Sequence, residues 1–385
     1  MGIVGRRVVV LSLLILIAVG RASYSATYLA DEPACSDWKT NPNGIAVVDA
    51  GQKLYVTDEA ANRIVVISTQ SSKVKKIIHT AGPTFSVTPS ADGRTAYVLT
   101  ATSNGTSLLE IDTKTDSLLR TQSIGAGSYR HIAVDHNGAT VYAGGSAPEE
   151  IVALDVSERH IISIRRLHAS SEGDIGSSHS QILSLADGSL RFLKAEGGES
   201  VGQIHLGSGL HYLSVSPDGS VVAIATGGTL KVRQNQVTII RVEDRAVLAR
   251  VAISGDPAWP VFSNDSKELY IDVSHEKLVT THFPSGESVS SLERDKPQTI
   301  EVINVRRHNI DMTVPVKGSL GKGVVSPDNR YAYYIMALRK PDKKKLLIEM
   351  DIAVLDRSAG QIIATVPIPL PEPDALKECG SVTPQ

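Results

Sequence analysis

The chain has 385 residues, 42% of them hydrophobic and 21% charged, which supplies apolar material for a large core. Its formal net charge of −2 recruits neither nucleic acid nor an anionic membrane surface through bulk electrostatics. Four Phe and two Trp stand against eleven Tyr, so Val, Ile, Leu and Ala must build most of the core, a composition suited to strands.

The N-terminus reads as an export signal. Arg6 and Arg7 form a basic start, and the apolar run over 8–20 is too short to cross a hydrocarbon core of ~30 Å as a helix. Ser23 and Ser25 place small side chains at the −3 and −1 positions of a cleavage after Ser25. No cysteine follows the run directly, which argues against a lipid anchor there. The expected location is therefore the periplasm or the exterior, with no membrane span after cleavage. The two cysteines, Cys35 and Cys379, lie just before the first and just after the last of the repeats described next. In an exported chain such a pair predicts a disulfide.

Between these cysteines one phrase recurs. Leu54-Tyr55-Val56-Thr57, Ala96-Tyr97-Val98-Leu99, Val141-Tyr142-Ala143-Gly144 and Leu269-Tyr270-Ile271-Asp272 occupy one slot. Val65-Val66-Ile67-Ser68, Leu109-Glu110-Ile111-Asp112, Val152-Ala153-Leu154-Asp155 and Ala353-Val354-Leu355-Asp356 occupy the next. Ser216-Pro217-Asp218-Gly219 and Ser326-Pro327-Asp328-Asn329 mark the first turn of their units. Unit ends fall near Gly82, Gly125, His168, Gly207, Gly255, Gly318 and Ile368, which makes seven units from Asn41 onward. Each apolar run is short and bounded by Asn, Asp, Gly or Ser, as strands are and helices are not.

These residues resemble the YVTN-repeat family of β-propellers, to which YncE-like exported proteins belong. The resemblance implies an all-β, seven-bladed β-propeller with four antiparallel strands per blade around a central channel. Stacked blades cover each other's faces, and closing the ring leaves only short protected edges. The expected organisation is a signal peptide over 1–25, an N-terminal segment with Cys35 over 26–40, the propeller over 41–368 and a tail with Cys379 over 369–385. The pattern weakens in three units. Unit four lacks a convincing first strand, since 169–178 holds a single aliphatic residue, Ile175, and its Ala186-Asp187-Gly188 turn joins the second and third strands. Unit six is the longest, and 276–311 is expected to leave the blade as a hairpin or loop. Unit seven carries a basic tip, Arg339-Lys340-Pro341-Asp342-Lys343-Lys344-Lys345, which reads as a solvated hairpin end.

In a propeller, the connection from one blade to the next passes the channel mouth. Aligning the units on the first turn puts Phe85, Arg130, His211 and Ala258 in one column, and Ser86, His131, Tyr212, Trp259 and Lys322 in the next. The expected ligand-binding residues are Phe85, Arg130, His131, His211, Tyr212, Trp259 and Lys322. They predict an aromatic, cationic mouth with few carboxylates, suited to an anionic or flat ligand. His131 and His211 are placed to approach each other across the channel, but a third metal ligand is not identifiable, so no metal is expected. Propeller lactonases imply a carboxylate beside a His and Arg group, and neither column holds one. Asp256 sits nearby in a Gly-Asp-Pro turn, where a structural role is expected. The functional expectation is an exported, monomeric, non-catalytic binding or scaffold protein without a cofactor. Its mouth takes a small anionic ligand or a partner protein. The alternatives are a lactonase-like hydrolase and a propeller subunit of a periplasmic dehydrogenase.

Overall fold

A computed structural model describes residues 40–371 apart from 136, 146–149, 158–159, 168–173, 208–209, 228–233, 283–287, 295 and 342–345. The expected signal peptide, Cys35 and Cys379 lie outside the described residues. Seven four-stranded antiparallel sheets follow one another along the chain, the seven blades of a β-propeller. The first strands are Pro42–Val48, Thr84–Pro89, His131–Val134, Ile175–Ser178, Leu210–Val215, Asp256–Phe262 and Ser319–Val325. The fourth strands are Lys73–His79, Ser117–Gly125, His160–Leu167, Ser200–His205, Val247–Ala252, Asn309–Val316 and Gln361–Pro367. Helix among the described residues is limited to a single 3₁₀ turn, Asp49–Gly51, and none is long and apolar enough to cross a membrane.

Burial explains why the repeat reads as continuous apolar phrases. The second and third strands of blade one, Lys53–Asp58 and Arg63–Ser68, are buried almost throughout, because both their faces meet neighbouring blades. Alternation then divides the side chains between the two neighbours. Leu54 and Val56 pack toward blade seven, whereas Tyr55 packs toward blade two. Seven hydrophobic clusters result among the described residues, one at each blade interface. The fourth strands form the rim and are largely exposed, as the pattern of Lys73–His79 illustrates.

The turn signature has an equally local cause. Ser216 Oγ donates to Asp218 Oδ1 at 2.6 Å and accepts from the Val221 amide at 3.1 Å, closing the turn between the first two strands of blade five. Ser90 with Asp92, Ser263 with Asp265 and Ser326 with Asp328 repeat this arrangement in blades two, six and seven. The following residue has φ near +60°, which Gly93 and Gly219 adopt freely and Asn329 tolerates.

Units four and six differ from expectation in detail. Blade four does have a first strand, but only Ile175–Ser178, and its second and third strands are joined by the Ala186-Asp187-Gly188 turn as expected. In blade six the departure from the blade is shorter than 276–311. Glu276–His282 and Ser288–Arg294 form a separate two-stranded ribbon, and the chain then returns as Gln298–Asn304 and Asn309–Val316, the blade's third and fourth strands. The polar stretch at Arg306–His308 is simply the turn between them, with His308 at φ 56°. Blade seven owns all four of its strands, so the ring closes without a strand borrowed from the N-terminus.

Candidate functional site

Each first strand begins at one face of the ring, and the connections between second and third strands lie on that same face. Glu59, in such a connection of blade one, meets Arg130 at the head of blade three, with 3.1 Å between Oε1 and the guanidinium. This face holds the channel mouth. Three first strands break their pairing here. Phe85-Ser86, Trp259-Pro260 and Gly321-Lys322 are extra residues between paired positions, and Asn43 marks a fourth irregularity. Such bulges re-aim side chains and bend the strand. Trp259 has φ 46°, an unusual value for a bulky residue and more so before a proline, and thus a point of stored strain.

The side chains divide into two groups. On one side, Arg130 stacks over Phe85, 4.3 Å from the ring centroid, and Asn41 and Asn43 also hydrogen-bond to Glu59. Phe85 itself is buried between blades two and three, so Arg130 is the exposed member. On the other side, Lys322 Nζ lies 5.1 Å above Trp259, whose ring contacts Tyr212 at 4.5 Å between centroids. Tyr212 belongs to the core between blades five and six and supports Trp259 from behind. Between the groups, His131 donates from Nδ1 to Asp174 Oδ1 at 2.9 Å, and the Leu213 amide lies 3.4 Å from Asp174 Oδ2.

Asp174 supplies the carboxylate that the sequence columns lacked, and Glu59 supplies another, so the mouth is of mixed charge. Burial alone would raise the Asp174 pKa. The hydrogen bond and charge of His131, the charge of Lys322 and the Leu213 amide outweigh it and hold the carboxyl below its ordinary value. Asp174 can only accept when ionised, so the His131 proton is on Nδ1 and Nε2 presents a lone pair while the ring is neutral. No described residue hydrogen-bonds to that Nε2. His211 is arranged differently. Its Nε2 donates to the Gly207 carbonyl at 3.1 Å, and Nδ1 lies 3.2 Å from the Thr226 hydroxyl. Burial lowers its pKa, favouring the neutral ring. The two histidines therefore serve separate local networks. No group of three His, Cys, Asp or Glu suited to a metal occurs among the described residues.

Below the mouth lies a cavity of about 410 Å³ on the axis. Asp174 and Lys322 are its charged lining residues. Along the same strands the lining mixes the polar Thr88, Ser177 and Ser214 with Ile132, Val134, Ile175, Leu213, Val215 and Val261, whose side chains pack into the blade interfaces. Of the seven sequence-derived residues, Trp259 and Lys322 line this cavity directly. His131 reaches its rim through Asp174 and Tyr212 packs against Trp259, whereas Phe85, Arg130 and His211 are not among the lining residues. Asp174 was overlooked because it precedes a four-residue strand with too little pattern to align.

No family model matches the chain, and no curated protein matches it. Among solved structures 1431 chains match, a breadth that describes an architecture shared by many activities. One, from Kuenenia stuttgartiensis hydrazine synthase, has a TM-score of 0.60 at 18% identity, covering 83% of this chain and 98% of that one. Another, dihydro-heme d1 dehydrogenase NirN in complex with DHE, has a TM-score of 0.51 at 14% identity, covering 91% of this chain and 79% of that one. At such identities the likeness is one of fold.

Proposed function

We propose that this chain is an exported binding propeller of the YVTN-repeat, YncE-like kind, and that its channel mouth captures a small anionic ligand without chemical change. The observation that carries this reading is the bulged presentation of Trp259 and Lys322. A strained Trp holds a lysine beside an open cavity, and strain of this kind is retained where a site needs it. A cation and an aromatic face beside a concave cavity form a usual small-ligand site. The test is a thermal-shift screen of the mature protein against organic anions. A ligand at 100 times its dissociation constant stabilises by about 2.7 kcal/mol. The shift should vanish in Arg130→Ala/Trp259→Ala while circular dichroism stays unchanged. An unaltered shift in that variant places the site elsewhere.

A specific observation favours a second reading. The Asp174–His131 pair fixes the orientation of a histidine whose other nitrogen hydrogen-bonds to no described residue, which is an arrangement a general base uses. In a lactonase-like hydrolase His131 accepts a proton from the attacking water, and Asp174→Asn lowers kcat with little change in KM. Lack of turnover of sugar lactones by the wild-type protein removes this reading. The likeness in fold to a dehydrogenase keeps a third one testable, that of a propeller subunit beside a cofactor-bearing partner. Co-purification of a redox protein from the exporting host would support it.

A further inference from the structure

We infer that the anion taken at Lys322 is the C-terminal carboxylate of a short extended peptide, whose backbone pairs with the open edge of blade five's first strand. This rests on the reading of the mouth as an anion site and names the ligand of that site. All seven first strands contribute to the wall of the cavity. Each is the terminal strand of its sheet, so one edge pairs with the second strand and the other has no strand beside it. Consecutive residues line the cavity, Leu213, Ser214 and Val215 in blade five and Asp174, Ile175, Gly176 and Ser177 in blade four. Neighbouring side chains of a strand point to opposite faces, and those of Leu213 and Val215 pack into the interface of blades four and five. A wall that includes both sets of residues is formed by the strand edge itself, with its amides and carbonyls. Such an edge is a template for another extended chain.

Two hydrogen bonds fix which groups of blade five face the axis. The Ser216 amide donates into its own sheet, to the Val221 carbonyl at 2.9 Å. The Leu213 amide turns the other way and lies 3.4 Å from Asp174 Oδ2. The direction of the backbone groups alternates along a strand, and the amide and carbonyl of one residue share it. The Leu213 carbonyl and both backbone groups of Val215 therefore lie on the open edge. Asp174 already meets the Leu213 amide as the carbonyl of an added strand would. Pairing of this strand with its neighbour is unbroken from Leu210 to Val215, whereas the first strands of blades six and seven are bulged, and Pro260 has no amide to offer. Lys322 lines the same cavity, rests on Trp259 and has no carboxylate within ion-pair distance among the described residues. A terminal carboxylate there gains a charge-assisted hydrogen bond. Three extended residues reach about 10 Å, and a cavity of about 410 Å³ calls for small side chains.

The experiment is isothermal titration of the mature protein with N-acetyl-Ala-Ala-Ala, its C-terminal amide, the acids N-methylated at the second or the third residue, and acetate. The acid should bind more tightly than acetate. The amide should bind at least about tenfold more weakly than the acid, because it loses a charged hydrogen bond. N-methylation at one of the two positions should cost about fivefold or more, because it removes a donor to the edge. Lys322→Met should erase the preference for acid over amide, with folding checked by thermal melting. A carrier protein ending in a flexible linker and Ala-Ala-Ala separates the two sources of such a ligand. Binding as tight as that of the acetylated peptide assigns the site to protein C-termini, and binding of the peptide alone assigns it to small peptides. If acetate binds as tightly as the acid, or neither N-methyl group weakens binding, the edge is not used and this inference fails, although an acetate affinity that needs Lys322 leaves the anion reading intact. An amide as tight as the acid likewise overturns it. If neither the peptides, acetate nor benzoate bind, both readings fail.

Discussion

At the scale of single residues, the mouth is held by neutral and ionised groups whose states follow from their neighbours. His211 is the clearest case. Its ring donates to Gly207 and is kept neutral by burial, so its folded pKa lies below the ordinary 6.5. The unfolded chain therefore binds an extra proton as pH drops below 6.5, and the folded chain does not. The stability associated with this group is present above 6.5 and lost as pH falls through the folded value. His211→Gln keeps a donor for the Gly207 carbonyl and cannot titrate. We expect the gap in melting temperature between wild type and variant to narrow or reverse from pH 7 to pH 5. A gap that stays constant across that range means His211 is not held neutral. The alignment put this histidine in the mouth column but said nothing of its role, and it is not among the residues lining the cavity. That role depends on Thr226 and Gly207, which lie on another strand and in the preceding connection.

At the scale of elements, legibility followed strand length and burial. The middle strands were readable because both faces are buried, which makes them long apolar phrases bounded by Ser-x-Asp turns. Ile175–Ser178 was not, because its sequence is Ile-Gly-Ser-Ser. Gly176 stands where an added Cβ would meet Val215 Cγ2 at 2.5 Å and Leu213 Cδ2 at 2.8 Å. Crowding near the axis thus removed the apolar signal from this strand, and Asp174 was hidden with it. In blade six the opposite error arose, because the charged Arg306–His308 turn merged in sequence with a true insertion. Among the described residues the ribbon formed by Glu276–His282 and Ser288–Arg294 forms strand pairs only within itself. Replacing 277–293 by a two-residue Asn-Gly turn should therefore keep the fold, with a change in unfolding free energy within about 1 kcal/mol, since it removes no named core mechanism. Denaturant titration checks this, and a loss several times larger means the ribbon braces the ring. In the intact protein trypsin should cut first near Arg294 or Lys296.

At the scale of the whole molecule, the distinctive place is the seam between blades one and seven, the one interface whose blades are not consecutive in sequence. Its hydrophobic cluster includes Ile45, Leu54 and Val65 of blade one and Tyr333, Ile352 and Val366 of blade seven, all buried. Arg63 adds a polar clasp. It is buried, donates from Nε to Asp58 Oδ2 at 2.9 Å and reaches the carbonyl of Pro369 beyond the last strand. Asp58 also accepts from the Asn41 amide at 2.8 Å, so both ends of the ring meet at one ion pair. Burial raises the Asp58 pKa despite these partners, as expected for an ion pair whose desolvation is costly. Arg63→Met strands that carboxylate and should cost about 3–5 kcal/mol in denaturant unfolding. Arg63→Met/Asp58→Asn should recover much of the loss, because no unpaired charge then remains. Equal losses in the two variants would show that the tail contact, and not the charge, holds the seam.

The same seam lies between the two segments that carry the cysteines in sequence. Cys35 precedes the first strand and Cys379 follows the last, and the chain between them includes the whole ring. The described chain ends within a few residues of the clasp at Pro369, and its described start, Thr40, adjoins Asn41 at that same clasp. Both cysteines are thus tethered by short segments to one place, and we propose that they form a disulfide across the seam. A bridge there closes a loop of roughly 340 residues, for which the chain-entropy model gives on the order of 5 kcal/mol, with real bridges often delivering less. Its stabilisation acts on the unfolded chain, so it adds to the native-state clasp of Arg63 and does not replace it. Reduction of the mature protein should lower the melting temperature without changing the circular dichroism at 25 °C. Cys35→Ser should reproduce that shift and be insensitive to reductant. Mass spectrometry of the non-reduced protein should find one linked peptide pair, and free alkylation of both thiols without reductant shows that the ring is closed by packing and the Arg63 clasp alone.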